Sequence, residues 1–211
     1  MSSPHEQLES LHEIKTMMER SSRFISLSGL SGILAGTFAL LGAGAAYARF
    51  GYRDYSEVFS TALHDPETQN SVLTFLFLDA TLVLLASLFV IYMLTARRAK
   101  KNQEEIMDDS ARRLLLNLLI PLVTGGLLCI ILFMKADISL IAPCTLIFYG
   151  LALVNGSKYS LNDIRYLGLF QIVLGLLNAW FIGYGLIFWS LGFGVLHIIY
   201  GALMWHKYER N

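Results

Sequence analysis

Two ionisable residues, Asp79 and His197, lie deep inside apolar runs and are the first candidates for chemistry in this chain. Histidine changes charge near neutrality, and a carboxylate at similar depth would lower the cost of burying both groups through a hydrogen bond or ion pair. Such a pair can relay protons, sense pH or coordinate an ion, and a membrane-embedded ionisable group is a functional candidate by default. Asn117, Gln171 and Asn178 are secondary polar candidates, with Asn155 nearer the surface. Hydrogen bonding between helices accounts for these amides without a ligand. Pro121, followed by Thr124, Gly125 and Gly126, is a candidate hinge, and so is Pro143. A proline removes one backbone donor, so each either breaks its helix or leaves a freed carbonyl for a neighbour to satisfy.

Metal and cofactor chemistry need more ligands than these runs supply. A metal-dependent intramembrane hydrolase requires several convergent His, Asp or Glu side chains, and haem would require a second axial ligand at the right depth. His206 belongs near an interface, away from His197. His64, Asp65 and Glu67 fit a solvated turn around Pro66, and Cys129 and Cys144 fit two buried thiols packing as small apolar groups. No metal and no cofactor is expected.

The elements that must position these groups are six apolar runs, at 24–47, 72–96, 114–134, 138–155, 164–182 and 186–205. A helix rising 1.5 Å per residue needs about 20 apolar residues to cross the roughly 30 Å hydrocarbon core. With 55% hydrophobic and 15% charged residues over 211 positions, the chain is too apolar for an average soluble domain. Runs this long without alternation exclude a barrel, so the expected fold is all-α: a polytopic membrane protein with six transmembrane helices in a single bundle. Counted from the outer ends of their runs, Asp79 lies ~10 Å deep and His197 ~16 Å deep, near enough in level to meet.

The gaps between runs orient the bundle. Of the 16 Lys and Arg residues, only Arg49, Arg53 and Lys135 fall in one set of alternate gaps. The other set holds both ends of the sequence together with the 97–113 and 156–163 gaps. By the positive-inside rule both termini are cytoplasmic. Tyr52, Tyr55, Trp180, Tyr184 and Trp189 then mark the outer interface, and Tyr92, Tyr159, Tyr166, Trp205 and Tyr208 the inner one. Zero formal net charge gives no argument for nucleic acid. Basic groups beside the membrane suit membrane lipids, anionic headgroups at the cytoplasmic face among them.

Residues 1–23 are expected to form a cytoplasmic amphipathic helix. Ser3, Pro4 and Glu6 start it, and Leu8, Leu11, Ile14 and Met18 fall on one face. Residues 24–211 form the transmembrane domain, with a short outer-face helix at about 54–64 and a helical cytoplasmic linker at about 97–113. Lys100 and Glu104, and Lys101 and Glu105, stand at i, i+4 spacing in that linker. Gly32 and Gly36 form a GxxxG match within a run dense in small residues, and Gly192, Gly194 and Gly201 repeat the character near the end. Close helix packing follows, either within one chain or in a homo-oligomer.

The stretch from Tyr166 to Tyr208, with Gly168, Gly175, Gly183-Tyr184-Gly185, Gly192, Gly194 and Gly201, resembles small bacterial six-span proteins of the HdeD-like acid-resistance type. That resemblance implies a small inner-membrane protein linked to stress and supplies no catalytic residues. The leading expectation is therefore a non-enzymatic integral protein of the inner membrane, stress-related, structural or sensory. The alternative is a small proton- or ion-coupled transporter or channel using Asp79 and His197, and the third is an intramembrane metal-dependent hydrolase.

Overall fold

The computed structural model describes residues 28–51, 66–102, 107–135 and 137–210, and these are entirely helices and short turns. The expected helices over 1–23 and 54–64 and the middle of the 97–113 linker lie outside the described residues. Five long helices are α1 (Gly29–Phe50), α2 (Pro66–Asn102), α3 (Asp109–Met134), α4 (Ile141–Gly156) and α5 (Asn162–Trp180). The last apolar run is composite: α6 (Gly185–Trp189), a π-helical segment (Ser190–Leu196) and α7 (His197–Tyr208). One 3₁₀ turn, Ile138–Leu140, leads into α4 and another, Ser157–Tyr159, leaves it.

Five segments are long and apolar enough to cross a membrane: Gly29–Phe50, Asn70–Lys101, Asp109–Met134, Ile138–Tyr159 and Gly185–Tyr208. The remaining apolar run forms the helix α5, which is not among these five. Asn162, Asp163 and Arg165 at its start and Gln171 and Asn178 within it lower its apolarity, and both amides are buried against neighbouring helices. Phe77, Leu82 and Ile120 are each more than 60% exposed, and the exposed faces of α2 and α3 are largely apolar between their charged ends. A bundle in water buries such side chains, whereas a hydrocarbon solvent favours them outside.

The helices pack in two groups joined by the composite sixth run. α2 lies on α1, and α1 lies on the π segment and α7. On the other side α3 packs on α4, and α4 on α5. Glycine sets the closeness of both groups. A Cβ on Gly150 would lie 2.6 Å from the Gly168 carbonyl oxygen, and one on Gly168 would lie 2.7 Å from the Gly150 oxygen. Where α7 crosses α1, a Cβ on Gly201 would stand 2.6 Å from Ile33 N and 2.7 Å from Gly29 O. Backbones in direct contact maximise dispersion where lipid supplies no hydrophobic drive between helices. Met204 of α7 joins Leu153, Leu161, Ile164 and Leu167 in a buried cluster, which fastens α7 to the α4–α5 pair as well.

Polar side chains secure one end of the bundle. Glu209 accepts hydrogen bonds from Gly29 N and from Ser28 Oγ (3.2 Å), so it caps α1 in place of a local side chain. The same carboxylate holds Arg98 of α2 at 2.8 Å, and the guanidinium also reaches the Tyr208 carbonyl at 3.3 Å. The carboxylate faces the N-terminus of α1, whose dipole favours it, and Arg98 offsets its place at the C-terminus of α7. Nearby, Asp163 accepts from Lys207 Nζ (3.0 Å) and Tyr208 Oη (2.7 Å), tying α5 to α7. At the opposite end Gly51, with φ 70°, turns the chain out of α1.

Glycines in contact and glycines in open space should respond oppositely to substitution. Gly201→Leu and Gly168→Leu are expected to lower stability by at least 1–3 kcal/mol, roughly the range for overpacking. Gly44→Ala and Gly126→Ala, where nothing lies within 4 Å, should be neutral or stabilising by up to about 1 kcal/mol. Thermal unfolding in detergent, followed by circular dichroism, checks the contrast.

Candidate functional site

His197, the first residue of α7, is buried where the two helix groups meet. Its Nδ1 is 2.9 Å from the Gly192 carbonyl oxygen and its Nε2 is 2.8 Å from Tyr149 Oη on α4. A carbonyl only accepts, so Nδ1 carries the hydrogen; in the neutral ring Nε2 then accepts from the tyrosine hydroxyl. Both nitrogens are engaged within the protein. Phe193 stacks near the imidazole, with centroids 6.0 Å apart and planes 15° apart, and Trp189 packs against Phe193 in turn. The surroundings of the network are therefore aromatic and apolar.

The Gly192 carbonyl accepts a second side chain, Gln171 Nε2, at 2.8 Å. It lies within the π segment, whose widened i to i+5 spacing leaves carbonyls less regularly paired than in an α-helix. Gly192 must be glycine for this approach: a Cβ there would lie 2.5 Å from Gln171 Oε1 and 2.4 Å from Leu146 Cδ2. The network thus runs from Tyr149 on α4 through His197 and Gly192 to Gln171 on α5. Sequence reasoning found His197 and Gln171 but missed Tyr149, which has no local motif, and the π segment. The cluster of Gly192 and Gly194 next to Ser190 is the one visible sign of irregular backbone there.

Asp79 stands elsewhere. Its carboxylate oxygens lie at the α1–α2 seam, 3.2 and 3.3 Å from where a Cβ on Gly42 would be. On α1 the backbone of residues 197 and 198 lies against Gly32 and Gly36, six to ten residues, or ~9–15 Å along the axis, from Gly42. Asp79 has no hydrogen-bond or ion-pair partner among the described residues, and it is not joined to His197.

The hinge candidates are regular. α3 runs unbroken from Asp109 to Met134 across Pro121, Gly125 and Gly126. Pro121 withholds the hydrogen bond due to the carbonyl four residues earlier, and that carbonyl, Asn117 O, accepts from Asn155 Nδ2 of α4 at 2.8 Å. The Asn117 side chain serves its own helix through Arg113 O. Gly125 admits Phe148 of α4, whose Cβ would be 2.4 Å from an added methyl. Pro143 is the third residue of α4, inside the first turn, where a missing donor is tolerated. Asn178 is buried on the same face of α5 as Gln171, and its Nδ2, like Gln171 Oε1, has no hydrogen-bond partner among the described residues.

No group of three or more His, Cys, Asp or Glu suited to a metal occurs among the described residues. Cys129 and Cys144 are free thiols on the packed helices α3 and α4. No family model, curated protein or solved structure matches this chain. Its candidate site rests on geometry alone.

Two substitutions examine this arrangement. Tyr149→Phe leaves His197 Nε2 buried without a donor and should lower stability by about 1–3 kcal/mol, read from the unfolding midpoint. Asn155→Leu orphans the Asn117 carbonyl and should cost a similar ~1–3 kcal/mol, but markedly less in a Pro121→Ala background, where residue 121 again offers an N–H. A double-mutant cycle with no coupling between positions 121 and 155 contradicts the account.

Proposed function

We propose that the chain is an integral protein of the bacterial inner membrane, spanning it six times with both termini in the cytoplasm. Its role is non-enzymatic: structural or sensory, in a stress-related setting. The observation that carries the reading is the closure of His197, whose two nitrogens are used by Tyr149 and Gly192 inside an aromatic enclosure. The Nδ1 partner is a carbonyl, which takes no proton onward, so the chain of hydrogen bonds does not suit a proton relay, and catalysis or metal ligation would need Nε2 freed from Tyr149. A closed network joining α4, α5 and the sixth run instead suits a part that holds helices in register.

The basic residues support the orientation. Arg98 and Lys207 are engaged at the Glu209 end, and Arg97, Lys100, Lys101, Arg112, Arg113, Lys158, Arg165 and Arg210 also lie toward the ends of the helices that converge there. The five long apolar segments, together with α5 packed against α4, support six crossings. Separation of Asp79 from His197 argues against the transport reading, which relied on their meeting.

Reconstitution into liposomes tests the proposal. Under imposed proton, sodium and potassium gradients, the protein should give flux no higher than empty vesicles, and Asp79→Asn and His197→Ala should change nothing. Gradient-driven flux abolished by both substitutions would establish a transporter instead.

A further inference from the structure

α3 is the most outlying long helix of its group, packing chiefly on α4, and its outward face is graded in chemistry from the bilayer centre to the water. Leu116, Ile120, Val123 and Leu127 recur at i, i+4, i+7 and i+11, which places them in one stripe, and each is about half or more exposed. From Leu116 to Leu127 the stripe rises ~16 Å, the depth of one leaflet's share of a ~30 Å hydrocarbon core. Buried Ala111, Leu114 and Gly125 face the opposite way, toward the bundle.

At 100° per residue, Arg112 and Arg113 straddle the top of that stripe, and Asp109 stands over it one turn further out. All three are exposed. Neither arginine has an ion-pair partner among the described residues, although Asp109 is three and four positions away. Among the described residues the neighbouring acid Asp108 is occupied: its side chain accepts from Ala111 N at 2.6 Å as the cap of α3. This differs from Arg98 and Lys207, which are spent on internal carboxylates. From the membrane outward the order is an apolar wall one leaflet deep, two guanidinium groups, then one carboxylate.

We propose that this face binds a phospholipid whose headgroup carries a primary ammonium, such as a phosphatidylethanolamine. Its acyl chain lies along Leu116, Ile120, Val123 and Leu127, its phosphate is held between Arg112 and Arg113, and its ammonium donates to Asp109. Arginine suits the phosphate because its planar fork forms charge-assisted hydrogen bonds to two oxygens, and an ammonium N–H does the same toward a carboxylate. A second copy laid parallel on the same stripe would set the arginine pair against its own counterpart, so a lipid is the better occupant. The inference rests on α3 spanning a bilayer.

Incorporation into nanodiscs comes first and stands apart from the lipid question; a protein that does not insert refutes the membrane reading itself. Inserted protein is then released into detergent, and co-bound lipids are counted by native mass spectrometry from equal mixtures of phosphatidylethanolamine, phosphatidylglycerol and phosphatidylcholine. Phosphatidylethanolamine should be retained roughly tenfold over phosphatidylcholine, near the effect of losing one charge-assisted hydrogen bond. Asp109→Asn should abolish that preference and favour phosphatidylglycerol, while Arg112→Ala with Arg113→Ala should remove retention of all three. Glycerophosphoethanolamine, which lacks acyl chains, should not compete at equal concentration. Equal retention of the three lipids, a preference for phosphatidylglycerol in the unaltered protein, or ratios unmoved by Asp109→Asn would each overturn the assignment. All three positions are exposed, so the variants should fold.

Discussion

The composite sixth run must fit two neighbours at once, and the rest of the structure depends on how it does so. Gly192 and Leu146 set its approach to α4 and α5, while Gly194 and Gly201 set its approach to α1. A regular α-helix fixes the angle between any two residues at multiples of about 100°. The π segment changes that angle between Gly192 and Gly201, so that both contacts are made by one continuous chain. Irregular backbone in a membrane needs partners for its polar groups, and Gln171 and His197 supply them at the Gly192 carbonyl. Polarity within the core is thus concentrated where the helix departs from regularity.

The same logic recurs at Pro121 with different participants. There the irregularity is a missing donor, the partner is Asn155, and the helix continues without a break. Proline, glycine and the π segment each disturb a helix, and an amide, an aromatic ring or a histidine compensates from an adjacent helix. Much of the polarity inside the apolar runs is accounted for by these repairs, which leaves Asp79, Thr95 Oγ1, Asn178 Nδ2 and Gln171 Oε1 among the described polar groups without such a role.

Legibility in the sequence followed the range of the interaction. Helical class and the approximate extents of the apolar runs depend on local composition, and the described helices fall on all six. Glycine packing of α1 against the last run was visible because both carry dense glycines, whereas the Gly150–Gly168 crossing depends on two isolated glycines in different helices. Which helices meet was not legible, so position along a run could not tell whether two polar groups join: Asp79 lies at the α1–α2 seam and His197 against Tyr149 of α4. Tyr149 as the partner of His197 required knowing that α4 faces α7, a fact carried by no local pattern.

Glu209 links residues far apart in the order of synthesis. The first turn of α1 receives its capping carboxylate from a residue 180 positions later, and its packing partner α7 is made almost as late. By contrast α4 and α5 are adjacent in the chain and meet through Gly150 and Gly168 soon after they emerge. Local contacts form before distant ones, since closing a long loop carries an entropic cost that must be met first. On these grounds the α4–α5 contact can form early, whereas α1 gains its contact with α7 only once the last helix has been made. Through that interval the glycine face of α1 that α7 will cover lacks that cover.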